Sequence, residues 1–159
     1  MADGIRAATR GDADAVLALA TAFATSFSVD VTAFGWSFAA VLDDPDACLL
    51  VAESRDQVVG YVLGFVHVTF YANGPVAWVE EITVREADRR GGVGRRLMAA
   101  FETWATDRDA RLVALATRRA TAFYEALGYQ ASATYFRRLS DQGPTQVTPT
   151  EGRSPPGRP

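Results

Sequence analysis

Apolar and polar positions repeat with two different periods along this chain, and just past its midpoint a run of period-two strands gives way again to a period of 3.6. Ile5-Arg6-Ala7-Ala8 predicts a short strand. Thr9 or Asp12 then caps a helix carrying Ala15, Val16, Leu19, Ala22 and Phe23 at helical spacing. A second short helix is predicted near Ala33 to Leu42, ending at Asp43-Asp44-Pro45, where proline and the acids mark a turn. Cys48 to Glu53 and Val58 to Phe70 are β-rich runs separated by Ser54-Arg55-Asp56-Gln57, the signature of an antiparallel hairpin. Asn73-Gly74-Pro75 turns the chain into another strand, Val76 to Val84.

Beyond this point the period becomes 3.6. Val93, Leu97, Ala100, Phe101 and Trp104 form the apolar stripe of a helix that opens at Gly92 to Gly94, and Leu112 to Ala116 reads as a strand again. Strand, helix, strand in that order implies a parallel pair joined by a right-handed crossover. A last helix, about Arg118 to Leu127, stops at Gly128, and Tyr129 to Leu139 alternates enough to be a final strand. An antiparallel first half and a βαβ second half give an α+β class with a mixed sheet. Residues 140–159 hold five of the seven prolines, three glycines and almost no apolar side chains, so they are expected to be a disordered tail, with residues 1–139 as one folded domain.

Composition changes the picture mainly by exclusion. With 48% apolar and 22% charged residues and a formal charge of −3, the chain reads as a soluble globular domain with a real core. Cys48 is the only cysteine and His67 the only histidine, which excludes zinc ribbons, cysteine-ligated clusters, internal disulfides and multi-histidine metal sites. All 16 basic residues are arginine, so a Walker-A lysine and Schiff-base chemistry are out. No long arginine run points to nucleic acid or an anionic membrane, and no stretch is long and apolar enough for a span. Met1-Ala2-Asp3-Gly4 opens with an acid where a signal peptide has a basic region, so a cytoplasmic location is expected.

The segment richest in chemistry runs from Glu80 to Leu97: a strand enters a loop with Gly91, Gly92, Gly94 and the arginines Arg89, Arg90, Arg95 and Arg96, and the loop becomes the first turn of a helix. Free N–H groups and the helix dipole favour an anion there, glycine lets the backbone come close to it, and arginine adds charge-assisted bonds. A dinucleotide fingerprint fails because Leu97 stands three residues beyond Gly94. The pattern is Arg89-x-x-Gly92-x-Gly94.

That pattern, following a strand that ends in Val84, resembles the pyrophosphate loop of the GNAT superfamily of acyl-coenzyme A-dependent N-acetyltransferases. The resemblance extends from Ile5-Arg6-x-Ala8-Thr9 with Asp12, through Gly60-Tyr61-Val62, to Ala120-Thr121-Ala122-Phe123-Tyr124-Glu125-Ala126-Leu127-Gly128-Tyr129, and so covers residues 4–139. It implies a GNAT-like fold with a twisted mixed sheet of six or seven strands and about four helices, with residues 1–139 as the acetyltransferase domain. It also implies that Arg89, Arg90, Gly91, Gly92, Val93, Gly94 and Arg95 bind the pyrophosphate of acetyl-CoA, a cosubstrate, with no metal required. Ile82, Thr83 and Val84 would offer main-chain groups to the pantetheine arm, as in an added strand. Arg96 is as readily a solvated helix-face residue.

Carried over residue by residue, the family's acid is Tyr124, whose phenol can protonate a leaving thiolate; the bland alternative is a core aromatic with a backbone partner. Where the family often has Asn, this chain has Thr117, whose hydroxyl can still reach the cofactor arm. The base implied is Glu80, four residues before Val84, with Glu81 as the second candidate, pointing to the opposite face unless a β-bulge intervenes. His67 and Cys48 as a hydrolase pair are the weaker reading, since a buried thiol is inert. Trp36, Phe27, Phe38, Phe70 and Tyr71 either pack the core or line an acceptor pocket. The expected function is acetyl transfer from acetyl-CoA to a primary amine of a small molecule by direct attack in a ternary complex, with no nucleic-acid or membrane partner and room for a homodimer. The alternatives are an inactive acyl-CoA-binding regulatory relative and a natural-product tailoring acyltransferase.

Overall fold

The computed structural model describes residues 4–24 and 27–140. The first strand, β1 (Gly4–Ala7), leads through a 3-10 turn (Arg10–Asp12) into α1 (Ala13–Phe23) and then α2 (Val31–Asp43). Asp12 accepts hydrogen bonds from the Thr9 backbone N–H at 2.7 Å and the Thr9 hydroxyl at 3.0 Å, so both cap candidates act together. Asp30 caps α2 by accepting from the Ala33 N–H at 2.7 Å. There follow β2 (Ala47–Ser54), β3 (Gln57–Thr69), β4 (Gly74–Val84), α3 (Val93–Thr106), β5 (Val113–Leu115) and the short α4 (Thr121–Glu125).

The strands form one sheet in the order β1-β2-β3-β4-β5, antiparallel throughout except for the parallel β4–β5 pair that flanks α3. Two apolar clusters lie on the sheet. One joins Val59, Val62, Ala77 and Val79 to the α3 stripe of Val93, Leu97, Met98, Phe101 and Ala105, with Tyr124 of α4. The other joins Val51 and Tyr61 to Val16 and Leu19 of α1 and Phe38 of α2. Leu97 and Phe101 are fully buried, each contributing about 1.5–3 kcal/mol by leaving water.

Among the described residues the sheet has five strands, where six or seven are expected from the sequence pattern. The missing one is the predicted strand at Tyr129 to Leu139. Alternation gives propensity only, and a strand must also pair its backbone and bury a face. Residues 130–140 fall in a second unit that starts at Gln130, carry no strand, and leave the consecutive aromatics Tyr135 and Phe136 exposed. The expected tail, apart from Ser140, lies outside the described residues. The last helix is shorter than predicted. Thr117 Oγ1 accepts from the Ala120 N–H at 3.1 Å, so the chain turns there and Arg118 and Arg119 stay outside the helix.

Candidate functional site

Strand β4 pairs with β5 over Ala77, Trp78 and Val79 only, so its last five residues run on past β5 with one edge open. On its other edge β4 pairs with β3 as far as Val84, and the Arg85 N–H still donates to the Val59 carbonyl at 2.7 Å. Alternation along an antiparallel ladder therefore turns the main-chain groups of Ile82 and Val84 away from β3, toward the open edge, while those of Thr83 face β3.

A β-bulge interrupts this strand. Gly64 pairs with Val79 and Leu63 with Glu81, which leaves Glu80 without a partner on β3. The bulge resets the parity of the two acids. Val79 belongs to the α3 cluster, whereas Glu81 sits beside Leu63 and Tyr61 on the α1–α2 face, with Oε2 accepting a 2.7 Å hydrogen bond from the Tyr61 hydroxyl. Glu80 is exposed and Glu81 half-buried. Tyr61 was given no role by its sequence context. A lone phenol in an apolar strand needs a polar partner when buried, and that requirement is the signal that finds it.

After Val84, a 3-10 turn (Glu86–Asp88) is clamped by Arg85, whose Nε donates to Asp88 Oδ2 at 2.5 Å and whose guanidinium also reaches Gln57 at 3.1 Å. Arg90 and Gly92 then adopt left-handed backbone, at φ 66° and 78°, on either side of Gly91. Left-handed residues in such a loop are the kind that let successive N–H groups converge on an anion. The main-chain N–H groups of Arg90, Gly91, Gly92, Val93, Gly94 and Arg95 have no acceptor among the described residues; intrahelical bonding begins with the Arg96 N–H to the Gly92 carbonyl. A set of unpaired donors at the start of a 14-residue helix is what a diphosphate requires, so these residues fit the pyrophosphate of coenzyme A.

Two of the four arginines hold the loop itself. Arg89 Nε donates to the Val84 carbonyl at 2.9 Å, and Arg96 Nη1 to the Gly91 carbonyl at 3.3 Å. Arg90 and Arg95 are exposed beside the unpaired amides. The loop is backed by α4: a Cβ at Gly94 would come within 3.3 Å of the Phe123 ring. Phe123 in turn lies edge-on to Tyr124, with ring centroids 5.0 Å apart.

Tyr124 is buried, yet its hydroxyl has no hydrogen-bond partner among the described residues and is not sealed from solvent. Burial raises its pKa above the ordinary phenol value. Tyr129, packed against it, donates its hydroxyl to Glu102 at 2.7 Å, so of these two rings it is Tyr124 whose phenol has no partner among the described residues. Glu80, Glu81, Ile82 and Val84 thus all lie on the stretch of β4 beyond β5, and Tyr124 belongs to the α3 cluster against which Ile82 and Val84 pack. Thr117, already accepting from Ala120, has a hydroxyl hydrogen still to donate.

The remaining candidates lie apart. Cys48 is buried in the α3 cluster, where desolvation pushes its thiol up to about 12, and His67 is exposed on β3. Phe38 belongs to the core under α2, whereas Phe27, Trp36, Phe70 and Tyr71 are exposed. No described helix is long and apolar enough to cross a membrane.

Comparison with known proteins identifies the fold and the family. No curated protein sequence matches the chain significantly. Among solved structures, a protein of Agrobacterium tumefaciens described provisionally as an acetyltransferase is 27% identical, with TM-score 0.77 over 86% of this chain and 99% of that one. Glucosamine-6-phosphate N-acetyltransferase of Arabidopsis thaliana is 17% identical, with TM-score 0.77 over 87% and 98%. The aminoglycoside N-acetyltransferase AAC(6')-Iy in complex with CoA is 19% identical, with TM-score 0.76 over 86% and 94%. The last two likenesses show the fold alone. The acetyltransferase (GNAT) family model matches residues 16–129, and the chain belongs to that family.

Proposed function

We propose that this protein transfers an acetyl group from acetyl-CoA to a primary amine of a small molecule, by direct attack within a ternary complex. The single observation that carries the reading is the run of unpaired amides from Arg90 to Arg95 at the mouth of the open β4 edge. When bound, acetyl-CoA supplies the acetyl group activated as a thioester. The amides of residues 90–95 hold its pyrophosphate, and the main-chain groups of Ile82 and Val84, with Thr83 between them, align its pantetheine arm along the strand.

An alkylammonium must lose a proton before its nitrogen can attack. Glu80, exposed at the bulge, accepts that proton directly or through one water. Attack of the nitrogen on the thioester carbon gives a tetrahedral adduct whose collapse breaks the carbon–sulfur bond; the Tyr124 hydroxyl donates a proton to the departing sulfur, and the second proton that the nitrogen sheds on becoming an amide restores the phenol. A main-chain N–H on the open edge steadies the charge that develops on the carbonyl oxygen. Neither reactant need bond covalently to the chain. The acceptor class supported is a small cationic amine, because two carboxylates stand together on this strand.

Calorimetry with acetyl-CoA, followed by free-thiol release across a panel of small amines, tests the reading. Saturable binding together with amine-dependent thiol release is the expected result. Binding without release from any amine would identify an acyl-CoA sensor instead, and absence of binding would end the assignment.

A further inference from the structure

Tyr61 is 1% exposed, and its hydroxyl reaches from β3 to a carboxylate on β4, the strand that carries the site, 2.7 Å from Glu81 Oε2. The contact depends on the bulge at Glu80, which brings Glu81 opposite Leu63 and onto Tyr61's face of the sheet. Glu81 itself lies two residues past Val79, the last β4 residue joined to β5, so it stands where the two strands part.

We propose that Tyr61 is a positioning residue: it fixes Glu81 as an anion on the α1–α2 wall of the cleft, and Glu81 selects acceptors that carry a second ammonium group besides the amine that reacts. This rests on the acetyltransferase reading above. The phenol holds one carboxylate oxygen, so the other keeps a single direction, and the rotamer entropy of a glutamate is lost on folding instead of on substrate binding. Burial and the neighbouring charge drive the Tyr61 pKa far up, so the phenol remains a donor and does not compete for the proton. Glu80, with no such partner, stays available for proton transfer. The division of labour follows: Glu81 binds, Glu80 reacts.

The test uses acceptors matched in length, 1,4-diaminobutane and 1-aminobutane, with thiol release as the readout. For the unaltered protein kcat/KM should favour the diamine by about tenfold or more, the scale of one hydrogen bond to a charged group. Tyr61→Phe, which removes one oxygen and keeps the ring, should raise KM for the diamine several-fold with kcat and acetyl-CoA affinity unchanged. Glu81→Gln, which leaves the core intact, should abolish the preference, and adding Tyr61→Phe to it should do nothing more. Equal use of the two amines, turnover of neither, or a Tyr61→Phe variant that loses kcat on both amines alike would overturn the inference. Loss of acetyl-CoA binding in the unaltered protein would overturn the acetyltransferase reading itself, whereas retained binding and turnover without diamine preference would overturn this inference alone.

Discussion

Arg89 donates its Nε–H to the Val84 carbonyl at 2.9 Å and so ties the glycine loop to the last residue of the strand that feeds it. That carbonyl points to the open edge of β4, where it has no strand to pair with. The same bond therefore satisfies an orphan acceptor and fixes the loop's angle of departure.

Removal of this tie should loosen the cradle more than the fold. Arg89→Ala is expected to weaken acetyl-CoA binding about tenfold, the scale of a charge-assisted hydrogen bond, with a melting temperature within a few degrees of the parent. Calorimetry and thermal unfolding on the same preparation check both halves.

Glu80→Gln keeps the size of the side chain and removes its capacity to accept a proton. Thiol release in the presence of an amine should fall by about a hundredfold, while acetyl-CoA affinity stays the same. An unchanged rate would transfer the role of base to another group.

For Tyr124→Phe the expected loss is smaller, about tenfold in kcat, with the fold retained because only a hydroxyl without a partner is removed. Since burial holds the phenol protonated beyond its ordinary range, the parent's rate should not decline with rising pH until above about pH 10. A pH–rate profile of parent and variant measures this.

Asp12 supports the opposite end of the sheet. It receives Arg6 through two bonds of 2.8 Å as well as Thr9, and Arg6 also reaches Glu53. The Arg6 guanidinium, first among these partners, holds the Asp12 carboxyl well below the usual carboxylate range. A depressed folded pKa gives stability that is fully present above the unfolded value of about 4 and lost as pH falls through the folded one. Asp12→Asn should cost about 2 kcal/mol at neutral pH and flatten the fall in stability below about pH 4, as read by urea unfolding across pH.

Cys48 should resist modification in the native protein and react once urea opens the α3 cluster, because its thiol is buried and pushed up to about 12. Labelling with a chromogenic disulfide reagent under both conditions decides it. Silence in the folded state also leaves coenzyme A as the sole source of signal in thiol-release assays.

The sequence made the strand-to-helix segment legible because its demands are local: three glycines before an amphipathic stripe leave few conformations besides a cradle. The hairpin, the two early helices and the parallel pair followed from periodicity in the same way. Glu81's environment did not, because a partner 20 positions away in the chain decides it. Yet one trace of the bulge was printed in the apolar pattern. Ala77, Val79, Ile82 and Val84 step by two, three and two, and the step of three is where Glu80 leaves the ladder. The predicted strand at Tyr129 to Leu139 failed for a related reason: alternation within a segment says nothing about whether a neighbour exists to receive its backbone.

On the proposed role of Glu80 as the base, its unpartnered position also separates folding from turnover. Were that residue deleted, Val79 would still meet Gly64 and Glu81 would still meet Leu63, now in an uninterrupted ladder, and no apolar side chain would change sides. Architecture and chemistry thus have different tolerances at one site. On that reading a descendant could retire from catalysis by losing a single codon, keep its sheet and its amide cradle, and be recognisable only by a strand one residue shorter.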